Sequence, residues 1–515
     1  MKMVKSLILG SAAALVAVGG AQAADLPVKA KAVEYVKVCS LYGPGFYYIP
    51  GTDTCIKLSG YLRADVVANS NSDYSGNFAG NGGLQNRFSM GYTWRSREDF
   101  DIDTRTATEY GVVRTYFDAT FSWTTDQYGP GATAGSTIYA PLGTVSAPGN
   151  ASGGNVAGGA LGVYLAFIQF AGFTMGKAVS QFAAPWVNYP GNNFDGLVGG
   201  AGTVTGVNQF SYTAQFGNGV SFTLSAQDQT QYTQGGVQNL GVLGVGGLGA
   251  YGASDYAGSI APDLIAMLRV DQAWGLFQAS FAAHDNHAAY YGATELTGHP
   301  DDKWGWAGAL ALSIKNIPTG PGDTINVQGV YTDGATRYNI QDLSQAGAVT
   351  YYSGTGVPGA YQSIGLGVAP DTVFVTGGQQ QLVQTWGMRG AYVHNWNPYW
   401  NTSIYGAYAQ VMYNGTSKTA ICGPAGNGVG GTFGITFGTA GLTSCNPDYN
   451  IAQLGTQTQW TPVKNLTFTA DLTWQHLDQK YAGTITAGGG SKPVTTYALA
   501  NQDAVTLLLR AQRNW

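Results

Sequence analysis

The stretch Ile56-Lys-Leu-Ser-Gly-Tyr-Leu-Arg-Ala-Asp-Val-Val67 decides the fold. Ile56, Leu58, Leu62, Ala64 and Val66 fall on one face, and Lys57, Ser59, Tyr61, Arg63 and Asp65 on the other. In an extended chain successive side chains point to opposite faces, so this is a strand with one apolar and one hydrophilic side. The pattern recurs. Val220, Phe222, Leu224 and Ala226 oppose Ser221, Thr223, Ser225 and Gln227. Leu466, Phe468, Ala470, Leu472 and Trp474 oppose Thr467, Thr469, Asp471 and Thr473. Alternation alone fits a soluble sandwich as well as a membrane barrel, because both need one apolar face.

Composition and connections separate the two. Charged residues are 10% of the chain, Gly numbers 76 of 515, and mean hydropathy is close to zero. No apolar run beyond the N-terminus reaches the ~18 residues a membrane helix needs. A barrel wall averages to neutral hydropathy because one face meets lipid and the other water. Short connections at 106–109, 171–174, 217–219, 274–275, 317–322, 396–400 and 461–465 take turns with long Gly/Ser/Asn-rich stretches at 124–160, 182–206, 228–261, 333–380, 414–449 and 478–499. Shorter stretches of the same kind lie near 69–86 and 288–302. Short turns on one side and long loops on the other suit an outer-membrane barrel, and a compact soluble domain rarely carries so many long loops. The count is sixteen strands, starting near residues 56, 94, 110, 161, 174, 206, 219, 262, 276, 303, 323, 381, 400, 450, 466 and 500. The expected fold is therefore all-β, a transmembrane antiparallel barrel of sixteen strands. Trp274, Trp396, Tyr399, Trp400 and Trp460 sit where strands meet short turns, the place for an interfacial aromatic girdle.

The first residues read as a signal peptide. Lys2 and Lys5 precede the apolar run Leu7–Val18, and Ala21-Gln22-Ala23 fits a cleavage site, so residues 1–23 are expected to be removed. Export gives the four cysteines their meaning. In an oxidising compartment the local pairs Cys39/Cys55 and Cys422/Cys445 are expected as disulfides, although four cysteines allow three pairings. A bridge over the first pair would contribute about 3 kcal/mol in the chain-entropy model. Residues 24–55 are then expected as an N-terminal segment with a disulfide knot, placed in the periplasm or projecting into the lumen as a partial plug, and 56–515 as the barrel. Without Lys2 and Lys5 the chain holds 22 basic against 29 acidic residues, a net −7 that argues against a nucleic-acid partner.

Cys39–Asp65, Thr104–Phe117, Ala166–Ala178 and Phe210–Ser225, in this order, closely resemble the porins of alphaproteobacteria. With the terminal strand ending at Trp515 the resemblance spans the mature chain; most such barrels end in Phe, and Trp departs from that. The resemblance implies a homotrimer in the bacterial outer membrane, in contact with lipid and lipopolysaccharide. It also implies recognition of Trp515 by the barrel-insertion machinery and passive diffusion of small hydrophilic solutes, with no cofactor. It further implies that the loop 182–206 folds into the lumen, where Asp195 is its acidic residue, beside Trp186, Asn188, Tyr189, Asn192 and Asn193.

The wall charges are the candidate site. Arg97, Asp99, Asp101, Asp103 and Arg105 share one face; Arg63 and Asp65, Arg114, Lys177 and Arg510 lie on neighbouring strands. An Arg or Lys facing lipid at mid-depth costs about 2–4 kcal/mol, so these charges are expected on the lumen side, lining a constriction. The other reading is a solvated face with no special role. No catalytic set and no metal spacing stands out: His284 and His287, three apart on a strand, point to opposite faces. The alternatives to a general-diffusion pore are a solute-specific sugar channel and a secreted β-rich adhesin or lectin.

Overall fold

The computed structural model describes residues 37–69, 86, 92–124, 160–186, 197–201, 206–229, 236–240, 256–292, 294–340, 348–422, 441–489 and 492–515. The expected cleavage site and Asp195 lie outside the described residues, as do Asn188, Tyr189, Asn192 and Asn193.

Sixteen strands form the wall: β1 Thr54–Asn69, β2 Tyr92–Thr108, β3 Gly111–Thr124, β4 Ala160–Phe170, β5 Phe173–Ala178, β6 Val207–Gly217, β7 Val220–Gln227 and β8 Asp263–Gln272. They continue as β9 Gly275–Asn286, β10 Lys303–Lys315, β11 Thr324–Asp333, β12 Gln384–Asn397, β13 Trp400–Met412, β14 Tyr449–Val463, β15 Leu466–Gln479 and β16 Gln502–Asn514. Each pairs antiparallel with the next in sequence, and β16 closes on β1 from Tyr61↔Asn514 to Asn69↔Thr506. The starts fall within a few residues of those read from the sequence. Closure leaves no unpaired sheet edge, the condition for a β structure to sit in hydrocarbon.

The two faces sort as the alternation predicts. Leu62 is 57% exposed and its neighbour Asp65 1%. Trp94 is 50% exposed, whereas Arg95 and Arg97 are each 3% exposed. The apolar face thus points outward and the charged face inward. Trp274, Trp396, Tyr399, Trp400 and Trp460 are all exposed on the outer face or turns at the short-turn end. Trp515 docks on this outer wall: its amide donates to Gly60 O (3.1 Å), its indole to Glu98 Oε1 (3.2 Å).

The short turns are tight. Ala171 and Gly172, both at positive φ (49° and 87°), join Phe170 to Phe173, as a two-residue hairpin turn requires. The long loops carry regular structure of their own. Ala348–Ser353, Ser363–Val368, Leu442–Ser444, Ala482–Gly489 and Lys492–Leu499 form a separate five-stranded sheet on the long-loop side. It buries Tyr352, Ile364, Leu366 and Tyr497, an apolar core large enough to hold loop strands together without a second domain. A helix, Gly415–Cys422, ends at a disulfide to Cys445, and Cys39 bonds Cys55.

Candidate functional site

The inner face of β2 carries a stripe in the order Arg95, Arg97, Asp99, Asp101, Asp103, Arg105, from the long-loop end to the short-turn end. Register with β1 and β3 brings the other charges beside it. Arg63 pairs with Arg97, Asp65 with Arg95, and Arg114 with Arg105.

The candidate residues gather in two groups, not one ring. At the upper end Arg510 Nε donates to Asp65 (2.7 Å), and Arg63 Nε to Gln512 (2.9 Å). The Arg63 guanidinium lies 4.3 Å from the Tyr61 ring centroid. Arg97 Nε donates to Ser122 Oγ (2.9 Å), with its guanidinium 5.6 Å from the Tyr164 ring. At the lower end Asp103 accepts from Arg105 Nη2 (2.9 Å) and Arg114 Nη2 (3.0 Å), while Arg114 Nη1 donates to Gln169 (3.0 Å). Arg97 and Arg105 are eight residues apart, ~26 Å along an extended strand.

Between the groups Asp101 accepts from Tyr116 Oη (2.8 Å), and Asp118 on β3 faces it in register. Asp99, Asp101 and Asp118 hold carboxylate oxygens within 4.8 Å of one another, the tightest set of metal-ligand type among the described residues. Lys177 Nζ donates to Val163 O at this depth. His284 and His287 do not converge: the first lies 2.8 Å from Asp263, the second 2.7 Å from Asp302.

The segment after β5 meets the opposite wall. Ala183 O accepts from Gln278 Nε2 of β9 (3.0 Å), and Val198 N donates to Gln453 of β14 (2.9 Å). Ala201 O accepts from Arg389 Nη2 of β12 (2.9 Å). Gly199, at φ +89°, lies so close to β12 that a Cβ would sit 2.5 Å from the Met388 carbonyl carbon. Its amide donates to Asn339 O (3.0 Å). Leu197 and Val198 enter a buried cluster with Ile340, Tyr405, Ile451 and Leu477. The β9–β15 side of the interior is therefore packed with loop, while the charged stripe lies on the side away from it.

The sequence reading named neither Arg389 nor the amides that hold this loop. Arg389 did leave a signal: it is the one charge on the inner face of a strand whose neighbours on that face are Gly387 and Ala391. Gln278 and Gln453 left none, since amides recur on every inner face. Arg95 completes the stripe and could have been counted from the same alternation, which puts Asp118 on the face of β3 that carries Arg114.

A family model described as "Porin subfamily" matches residues 25–508. Porin Omp2b of Brucella abortus (strain 2308) is 32% identical over 285 residues, 55% of this chain and 66% of that protein. Porin Omp2a of Brucella ovis is 33% identical over 269 residues, 51% of this chain and 71% of that protein. The match with Omp2b thus spans just under two thirds of that relative's length. Among solved structures, the outer membrane channel DcaP of Acinetobacter baumannii superimposes with a TM-score of 0.54, over 91% of this chain and 99% of that one. At 14% identity this likeness is one of fold.

Proposed function

The chain belongs to the porin family and is a β-barrel of the bacterial outer membrane, and from that premise we propose that it is a passive, water-filled pore for small hydrophilic solutes and ions. The observation that carries the proposal is the asymmetry of the interior: loop packed against β9–β15, and a charged stripe on the inward face of β16 and β1–β5, away from that packing.

In this reading the narrowest section lies between the inward edge of the loop 182–206 and the upper group Arg63, Arg97 and Arg510. Asp65, Asp99 and Asp101 temper their field, and Asp103, Arg105, Arg114 and Lys177 line the path below. Asp195 belongs to the loop side. A solute crosses by diffusion with no chemical step. A narrow pore with fixed charges selects by sign, because at ~8 Å screening length the wall potential reaches across it. The assembly is a homotrimer, and Trp515 is the residue presented to the insertion machinery.

Reconstitution into a planar bilayer tests this. Discrete current steps in groups of three are expected; a protein that adds no conductance would sink the reading. Replacing Arg63 and Arg97 together with Ala is expected to shift the reversal potential in a salt gradient toward cations. Arg stays charged at every physiological pH, so the arginines' own contribution to the wall potential does not titrate. It is expected to fade in ~1 M salt, where screening shortens to ~3 Å. An unchanged reversal potential at low salt would place these arginines off the permeation path.

A further inference from the structure

The knot that precedes β1 is not a loose arm. Cys55 is on the inner face, in register with Arg105, and its disulfide draws residues 39–46 over the inner side of the short-turn rim. Phe46 and Tyr42 cover the Arg105 guanidinium, with ring centroids 4.9 and 5.7 Å from it. The Lys57 stem lies under Gly45, whose Cβ, if present, would be 3.4 Å from it. Beside Tyr42 is an open pocket of about 510 Å³, whose polar lining is Arg105, Arg114, Gln169, Thr174 and Gln215 and whose apolar lining comes from the Phe170–Phe173 turn.

We infer that this pocket binds the oxyanion, carboxylate or phosphate, of a small solute at the short-turn mouth, with Tyr42 of the Cys39–Cys55 knot at its edge. Three observations meet here. The charge balance is positive: Arg105 and Arg114 share one carboxylate, Asp103, and Lys57 stands across the strand pair from it. Arg105 commits Nε and Nη2 to Asp103, which leaves Nη1 outside that pair. Tyr42 lines the pocket, and its hydroxyl is buried with no hydrogen-bond partner. A buried hydroxyl left unpaired costs free energy, and a small shift of the Tyr42 ring that brings it to an incoming oxygen relieves it. Guanidinium groups pair with planar or tetrahedral oxyanions through forked, charge-assisted bonds, so such an anion is held where chloride is not. Solute anions thus pause at this mouth before leaving the barrel. The inference rests on the pore reading.

The test is current block by inorganic phosphate, added to one chamber or the other over a chloride background. Wild-type channels are expected to be blocked at lower phosphate from one chamber than from the other. The Arg105→Gln/Arg114→Gln variant is expected to raise the half-blocking concentration on that side about tenfold, the loss of one forked charged pair. Tyr42→Phe, which keeps the ring and removes the hydroxyl, is expected to raise it about threefold. Cys39→Ser/Cys55→Ser is expected to reduce the sidedness. Should the double arginine variant fail to assemble, Tyr42→Phe carries the test alone. Conducting channels with symmetric block, or block untouched by Tyr42→Phe, would overturn the inference; channels that never conduct would instead overturn the pore reading.

Discussion

Asp323 shows what one side chain contributes at a short turn. It follows the turn 316–322 and is fully buried. It accepts from Thr319 Oγ1 (2.6 Å), the Asn395 amide (2.8 Å) and Tyr392 Oη (3.1 Å), and lies 2.7 Å from His394 Nδ1. Burial alone would raise its carboxyl above the ordinary aspartate range, but the bonds from Asn395, Thr319, His394 and Tyr392 outweigh it and hold the group well below. A depressed carboxyl contributes stability above the unfolded value, ~4, and loses it as pH falls through the folded value. Asp323→Asn is therefore expected to lower the temperature at which the barrel unfolds in detergent gels at pH 7. The difference from wild type is expected to shrink progressively below pH ~4. A variant equal to wild type at pH 7 would show that the turn is held by its backbone alone. At this scale alternation decided much: Arg63, Asp65, Arg97 and Arg510 could be put on the inner face from parity. Parity did not give depth. The short turn at 106–109 put Arg105 and Arg114 near one rim, but which residues they and Arg63 meet, the knot and Gln512, follows from strand register and was not legible.

At the scale of elements the loop after β5 is the telling case. Its ends were legible, since Ala178 closes one alternating run and Val207 opens the next. Its path was not, because the partners lie far away in sequence: Gln278, Arg389 and Gln453. Arg389 is 3% exposed and donates to Gln328, Ala201 O and Leu197 O. Removing the guanidinium leaves two buried carbonyls without that donor, a loss of about 1–3 kcal/mol each. Arg389→Ala is thus expected to loosen the loop while the barrel still closes. Single-channel records would show added flicker and a larger mean conductance. Quiet records of wild-type size would mean that Gln453 and Asn339 hold the loop unaided.

The long-loop side behaves as a small folded unit on top of the barrel. Its five-stranded sheet joins segments from three different connections, and Cys422–Cys445 ties the helix Gly415–Cys422 to it. Cys422 and Cys445 both pack against the apolar cluster of the packed side, and Cys445 against the sheet core as well. A closure of 23 residues contributes about 3–4 kcal/mol in the chain-entropy model. Cys422→Ser/Cys445→Ser is expected to increase hydrogen exchange in the sheet strands without changing the barrel's β-rich circular dichroism. Equal exchange would show that the apolar core suffices.

Local physics determined the wall of this molecule. A period of two, turn residues at short intervals and the scarcity of charge on one face specify sixteen strands and which side of each is wet, because each strand's pattern is set by its own residues. Tertiary structure alone decided what fills the interior. Whether Tyr42 lines a pocket, which half of the lumen is packed and where Arg389 finds its carbonyls all depend on contacts between residues tens to hundreds of positions apart. Such contacts form only after the barrel has closed and brought opposite strands face to face.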